Sequence, residues 1–253
     1  MRDRLVSEIG NRQGIIAGHR QLQRDLFQEL PDVPVLPETL LLLDLKMREP
    51  RVNMRVLSQA VLSDLGAALQ VFRAAGEGAD PELRAGRIED CIRGLNLEGL
   101  LETMASPTVR YAARRRGILE AWSHARRIAT YCRLMTEDFA PGIAPDLSPD
   151  ITPDMTPDQA YLVGLFHELG WLPALLGWSQ TAPNAGEPAA AGLRIAEEWS
   201  LPRCVRAYFR EQQAPGPMNH WTAIVHTAHE LASMPWIESC FSAGIGVQAP
   251  ARA

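Results

Sequence analysis

The sequence predicts an all-α protein, and three observations carry the prediction. Aromatic residues make up only 6% of the chain, β-branched residues are sparse, and the strong helix formers Ala, Leu, Arg and Glu recur throughout. Apolar residues repeat at three- and four-residue spacing along the chain, with no convincing strand alternation. Cap-forming residues and prolines stand at the starts of these periodic segments. With 253 residues, of which 46% are hydrophobic and 22% charged, there is ample material for a buried core.

The elements follow in order. Residues 3 to 28 have helical periodicity, weakened by Gly10, Gly14 and Gly18. Pro31, Pro34 and Pro37 then impose extended chain, because each proline fixes its own φ and pushes its predecessor out of the α region. Helices are expected over 38–48, 53–62, 64–75, 87–94 and 96–104, with Asn53, Asp64 and Asn96 as N-caps. Ser106-Pro107 opens a longer helix toward Asp138, which Gly117 is expected to break. Residues 144–159 read APDL-SPDI-TPDM-TPDQ, and a proline every fourth residue forbids a helix or a central strand. Thr156 and Gln159 form a capping box for the helix that carries YLVGLFHELGWL. Further helices are expected over 188–199, 202–213 and 218–234, and a weaker element from Trp236. The whole reads as about a dozen helices in an N-terminal half, to about residue 105, and a C-terminal half.

Composition excludes several classes of function. The formal net charge of −5 does not suit a general polyanion binder, so nucleic acid is not an expected partner. Cys91, Cys132, Cys204 and Cys240 stand 41, 72 and 36 residues apart, without the pairing of a zinc ribbon or redox motif, and are expected to be buried thiols. No apolar stretch suits a signal peptide or a membrane span, so the expected compartment is the cytoplasm. No phosphate-cradling, nucleophile-elbow or dinucleotide motif is present.

Three features bear on chemistry. His167 and Glu168 are adjacent at the end of an apolar helical turn, His124 lies on the preceding long helix, and His226, His229 and Glu230 share a face by i,i+3 and i,i+4 spacing. Together these residue types suit iron, manganese or zinc, although none of the spacings is diagnostic and satisfied core or surface histidines explain the same letters. Residues 107–133 carry a net charge of +6 and residues 134–158 a net −6. Arg110, Arg114, Arg115 and Arg116 are thus anion-binding candidates, since guanidinium forks match phosphate; the alternatives are a solvated helix face or one covered by the acidic segment. All six tryptophans lie in the C-terminal half, where most are expected in the core and Trp171 and Trp178 flank the segment beside His167.

The order PVLPETL, ILEAWSHARRIA, AYLVGLFHELG, AAAGLRIAEEWSLP and AIVHTAHELA resembles that of the HDOD domain over about residues 30 to 233. HDOD domains are all-α relatives of the HD and HD-GYP phosphohydrolases, found in bacterial signalling and regulatory proteins. The resemblance implies an N-terminal helical extension over 1–29, an HDOD-like domain over 30–233 and a tail over 234–253. Within that domain a helical half would pack on a degenerate HD-like half, with a Pro-Asp insertion at about 140–157. It maps the superfamily's first ligand histidine onto His124, its adjacent His-Asp pair onto His167 and Glu168, and its final aspartate onto His229. Glutamate in place of aspartate moves the carboxylate by more than about an ångström, and Ala207-Tyr208-Phe209-Arg210 stands where hydrolytic relatives place further histidines.

The implied function is noncatalytic: a regulatory module that binds an unidentified signalling protein or small effector, with no catalytic residue, metal or cofactor. The N-terminal helix could pack on the domain or pair two copies into a homodimer. The alternative is a divergent phosphohydrolase acting on a nucleotide or cyclic dinucleotide, with iron, manganese or zinc on His124, His167, Glu168 and His229.

Overall fold

The computed structural model describes residues 33–76, 87–104, 115–136, 155–177, 187–214 and 220–233, and every element among them is helical, as the composition predicts. None of these helices is long and apolar enough to cross a membrane. The expected helix over 3–28, most of the Pro-Asp array and the element from Trp236 lie outside the described residues.

The N-terminal half begins as extended chain at Val33–Leu36 and enters α1 (Pro37–Met47), with Pro37 at the first helical position. Helix α2 (Met54–Leu62) is capped by Asn53, whose side chain accepts hydrogen bonds from the Arg55 and Val56 amides at 3.0 and 3.4 Å. Helix α3 (Leu65–Gly76) is the most enclosed element of this half, with Ala67, Ala68, Leu69 and Val71 wholly buried. Helix α4 (Ile88–Met104) is interrupted at Asn96, where φ is 56° and ψ 178°. The Asn96 carboxamide accepts from the Gly99 amide at 3.0 Å and so caps the second segment, in keeping with the two helices expected from the sequence.

The C-terminal half consists of α5 (Arg115–Thr136), α6 (Pro157–Phe166), a 3-10 turn (Leu169–Trp171), α7 (Leu172–Leu176), α8 (Glu187–Glu198), α9 (Arg203–Gln213) and α10 (His220–Ala232). The capping box at the start of α6 is formed: Thr156 Oγ1 accepts from the Gln159 amide and Gln159 Oε1 accepts from the Thr156 amide. The expected break at Gly117 does not occur, and α5 continues through it to Thr136. A glycine costs a helix about 1 kcal/mol relative to alanine, which the packing of α5 on α6 and α10 outweighs.

Helices α5 and α6 cross at Gly164. A Cβ at that position would meet the Ala129 Cα at 2.6 Å and Cys132 Sγ at 2.9 Å, so only glycine lets the two backbones approach this closely. Around this crossing, α10 packs on α5 and α6, and α9 packs on α6, α8 and α10. The two halves meet where α3 packs on α5. Phe72 and Phe166 stack edge to face with centroids 6.0 Å apart, and the Tyr161 hydroxyl donates to the Leu62 carbonyl at 3.0 Å. Cys91, Cys132 and Cys204 are buried free thiols, as expected, and burial pushes the Cys91 thiol up to about 11 and Cys204 to about 12.

Asp64 does more than cap a helix. It is fully buried; its Oδ1 accepts from the Gly66 and Ala67 amides at 2.9 and 3.2 Å and from Trp122 Nε1 at 2.9 Å, while Oδ2 accepts from the Leu36 amide at 2.7 Å. One carboxylate thus ties the extended segment, α3 and α5 together. Burial raises its pKa, and these hydrogen bonds oppose the rise.

Candidate functional site

The α5–α6 crossing sets the site. His124 lies on α5 two residues beyond Trp122 and so on a different face of the helix; the Trp122 indole is pinned to Asp64, which fixes the rotation of α5 from the N-terminal half. His167 is the residue that ends α6, and its ring is held by its own helix: Nδ1 lies 2.7 Å from the Gly164 carbonyl. A carbonyl only accepts, so Nδ1 carries the proton and the Nε2 lone pair is free. His229 enters from the third turn of α10.

These three imidazoles converge from three helices. Their ring centroids are 5.3 Å apart for His124 and His167, 5.0 Å for His124 and His229, and 4.8 Å for His167 and His229. One nitrogen from each ring lies within 4.8 Å of the other two. Glu168 Oε1 joins them at 3.7 Å from His124 Nε2 and 3.8 Å from His167 Nε2, too far for hydrogen bonds. His226 and Glu230 are exposed on the solvent side of α10, where they face each other at 3.7 Å. The shared face expected for His226, His229 and Glu230 is therefore divided by packing, with only His229 turned inward.

Burial decides the charge of the group. It depresses the His167 pKa to about 3, and the neighbouring His229 and His124 add to the effect against the Gly164 hydrogen bond. His124 is lowered by burial and by the Arg127 guanidinium. His229 is lowered by burial and His124, with Glu168 opposing. Near neutral pH the imidazoles are neutral, which is the state in which they ligate metals. Burial raises the pKa of Glu168, and His229 lowers it. His167 Nε2 is buried with no hydrogen-bond partner, a deficit that costs about 1–3 kcal/mol for an ordinary polar group.

Three imidazole nitrogens and one carboxylate fit a single first-row transition ion, and His167 already has the arrangement in which the ring's other N–H is anchored on a carbonyl. Such an ion would supply Lewis acidity and charge at the crossing. The four residues do not amount to the two ligand sets of a binuclear hydrolytic centre. On α9, Tyr208 and Phe209 are buried and Arg210 pairs with Glu197 at 2.6 Å, so that helix brings no further nitrogen ligand. Tyr208, which stands in the sequence where hydrolytic relatives place further histidines, lies near enough for Glu168 to help raise its pKa behind burial and Cys132; its hydroxyl accepts from Gln212 at 2.6 Å.

The arginine candidates fare differently. Arg110 and Arg114 lie outside the described residues, as does the side chain of Arg115. Arg116 is exposed and paired with Glu120 at 2.9 Å, one helical turn on. A separate cleft of about 350 Å³ is lined by Arg55, Arg87, Arg133, Asp158 and Tyr161 among others, and by none of the four site residues. Of the tryptophans, Trp122 and Trp199 are core as expected, whereas Trp171 is 50% exposed; Trp178 and Trp236 lie outside the described residues.

No protein-family model matches the chain, and no curated protein matches it in sequence. Similarity appears at the level of structure. A fragment of the MmoQ response regulator from Methylococcus capsulatus strain Bath superposes with a TM-score of 0.57 at 14% identity, covering 88% of this chain and 95% of that one. A second structure of MmoQ gives 0.55 at 13% identity, covering 86% and 95%. At that identity the likeness concerns the fold: this chain has the helical architecture of a protein described as a response regulator.

Proposed function

We propose that the protein is a noncatalytic regulatory module of the HDOD type, acting through binding of a protein partner or small effector. The observation that carries this reading is the donor set at the α5–α6 crossing. It suffices for one ion, whereas a two-metal phosphohydrolase needs a second ligand set to activate water and clamp the phosphoryl oxygens. The motif order and the fold shared with MmoQ support the regulatory assignment. The exposed Leu41 and Leu45 on α1, next to the extended Val33–Leu36 segment, offer an apolar surface for contact.

The test measures turnover and binding in the same samples. Full-length protein is incubated with nucleotides, cyclic dinucleotides and a chromogenic phosphodiester in the presence of manganese, iron(II) or zinc, while thermal shift reports binding. Expected is no hydrolysis above the protein-free rate. Hydrolysis that disappears in His124→Ala and His229→Ala would establish instead the divergent phosphohydrolase, with His124, His167, Glu168 and His229 as its ligands.

A further inference from the structure

We infer that His124, His167 and His229, with Glu168 as the fourth ligand, form a mononuclear transition-metal centre that clips α5, α6 and α10 together as a structural or sensory element rather than a hydrolytic one. This goes beyond the regulatory reading and does not depend on it.

The argument rests on how the donors are held. The three imidazoles come from three helices and Glu168 follows His167 directly, so an ion bound to all four adds cross-links where α5 and α6 already cross at Gly164. His167 is buried, its Nδ1 is committed to the Gly164 carbonyl, and its Nε2 is enclosed without a partner beside two other imidazoles. An apolar residue would fill that space without leaving an unsatisfied atom; a ligand has reason to be there. Tetrahedral zinc, with ligand bonds of about 2.0–2.2 Å, keeps its ligand atoms roughly 3.3–3.5 Å apart. The 3.7 and 3.8 Å between Glu168 and two imidazoles is already near that, and nitrogens within 4.8 Å need only side-chain rotation. Three nitrogens against one carboxylate select zinc, iron(II) or cobalt(II) over magnesium or calcium, which require oxygen ligands. Arg127 faces His124 and His229 and opposes a cation; it also has an interaction of its own.

The test uses the untagged full chain, stripped with chelator and titrated with cobalt(II), followed by visible absorption and by thermal unfolding with and without zinc. Expected are about one equivalent bound per chain with the intense absorption of four-coordinate cobalt, and a zinc-dependent rise in melting temperature. His124→Ala and His229→Ala, both at half-buried positions, should fold and weaken binding by roughly tenfold or more. The exposed His226→Ala should bind as wild type. Binding of much less than one equivalent, or a cobalt spectrum and zinc shift unchanged in both variants, would overturn the proposal. Either result leaves the turnover test separate: hydrolysis decides between module and enzyme, and these titrations decide whether the cluster is a metal site.

Discussion

Asp64 and His167 are both buried polar side chains of the same helical unit, and their surroundings follow opposite rules. Around Asp64, three backbone amides and an indole N–H converge on two oxygens, so the cost of burying a carboxylate is offset on every side. Around His167 only one nitrogen is paired, and the other is enclosed with two imidazoles and a carboxylate. The difference is the one expected between a polar group held for architecture and one held for the metal proposed above, because folding alone gives no reason to retain a buried acceptor without a donor.

The largest test of that contrast is Asp64→Ala. It leaves four buried donors without an acceptor and should lower stability by about 3–5 kcal/mol in urea unfolding. A loss below about 1 kcal/mol would mean that the hub is not structural. His167→Leu should behave in the opposite way. In chelator at pH 7 its stability should lie within about 1 kcal/mol of wild type, because an unsatisfied atom leaves along with the hydrogen bond.

The same variant gives a pH signature. The His167 imidazole titrates at about 6.5 in the unfolded chain and at about 3 in the folded protein. Below about pH 6.5 the unfolded state therefore takes up a proton that the folded state refuses, and stability falls with pH by up to about 1.4 kcal/mol per unit. Asp64, with its raised pKa, has the opposite sign: its contribution is present at low pH and lost as pH rises. Comparing wild type with His167→Leu at each pH cancels Asp64, and the variant should gain about 2 kcal/mol relative to wild type between pH 7 and pH 5. Parallel pH profiles would show that His167 is not desolvated.

Gly164→Ala tests the crossing itself. Its new Cβ would push against the Ala129 backbone and separate α5 from α6, at a cost of about 1–3 kcal/mol in the same unfolding assay. The change should weaken cobalt binding while the Asp64 hub stays intact, which sets the two centres apart in a second way.

Most of the fold was legible because its signals are local. The Asn53 cap, the Thr156–Gln159 box and the interruption at Asn96 each depend on residues within one turn of one another, and each is present. Gly117 was misread because a glycine's cost to a helix depends on where the helix is anchored, and packing of α5 decides that. The site was legible only as a set of residue types. His124, His167 and His229 are 43 and 62 positions apart in sequence, and the α5–α6 crossing and the placement of α10 bring them together. Asp64 announced its cap and not its hub, since Leu36 and Trp122 lie 28 and 58 residues away.

That last separation has a consequence for synthesis. The Asp64 carboxylate acquires its indole partner only after 58 further residues have been added to the chain. A nascent chain that ends at α4 has every described helix of the N-terminal half and still lacks one of the donors that Asp64 binds. The hub of the first half is thus completed only from the second, by a residue two positions before the first histidine of the cluster.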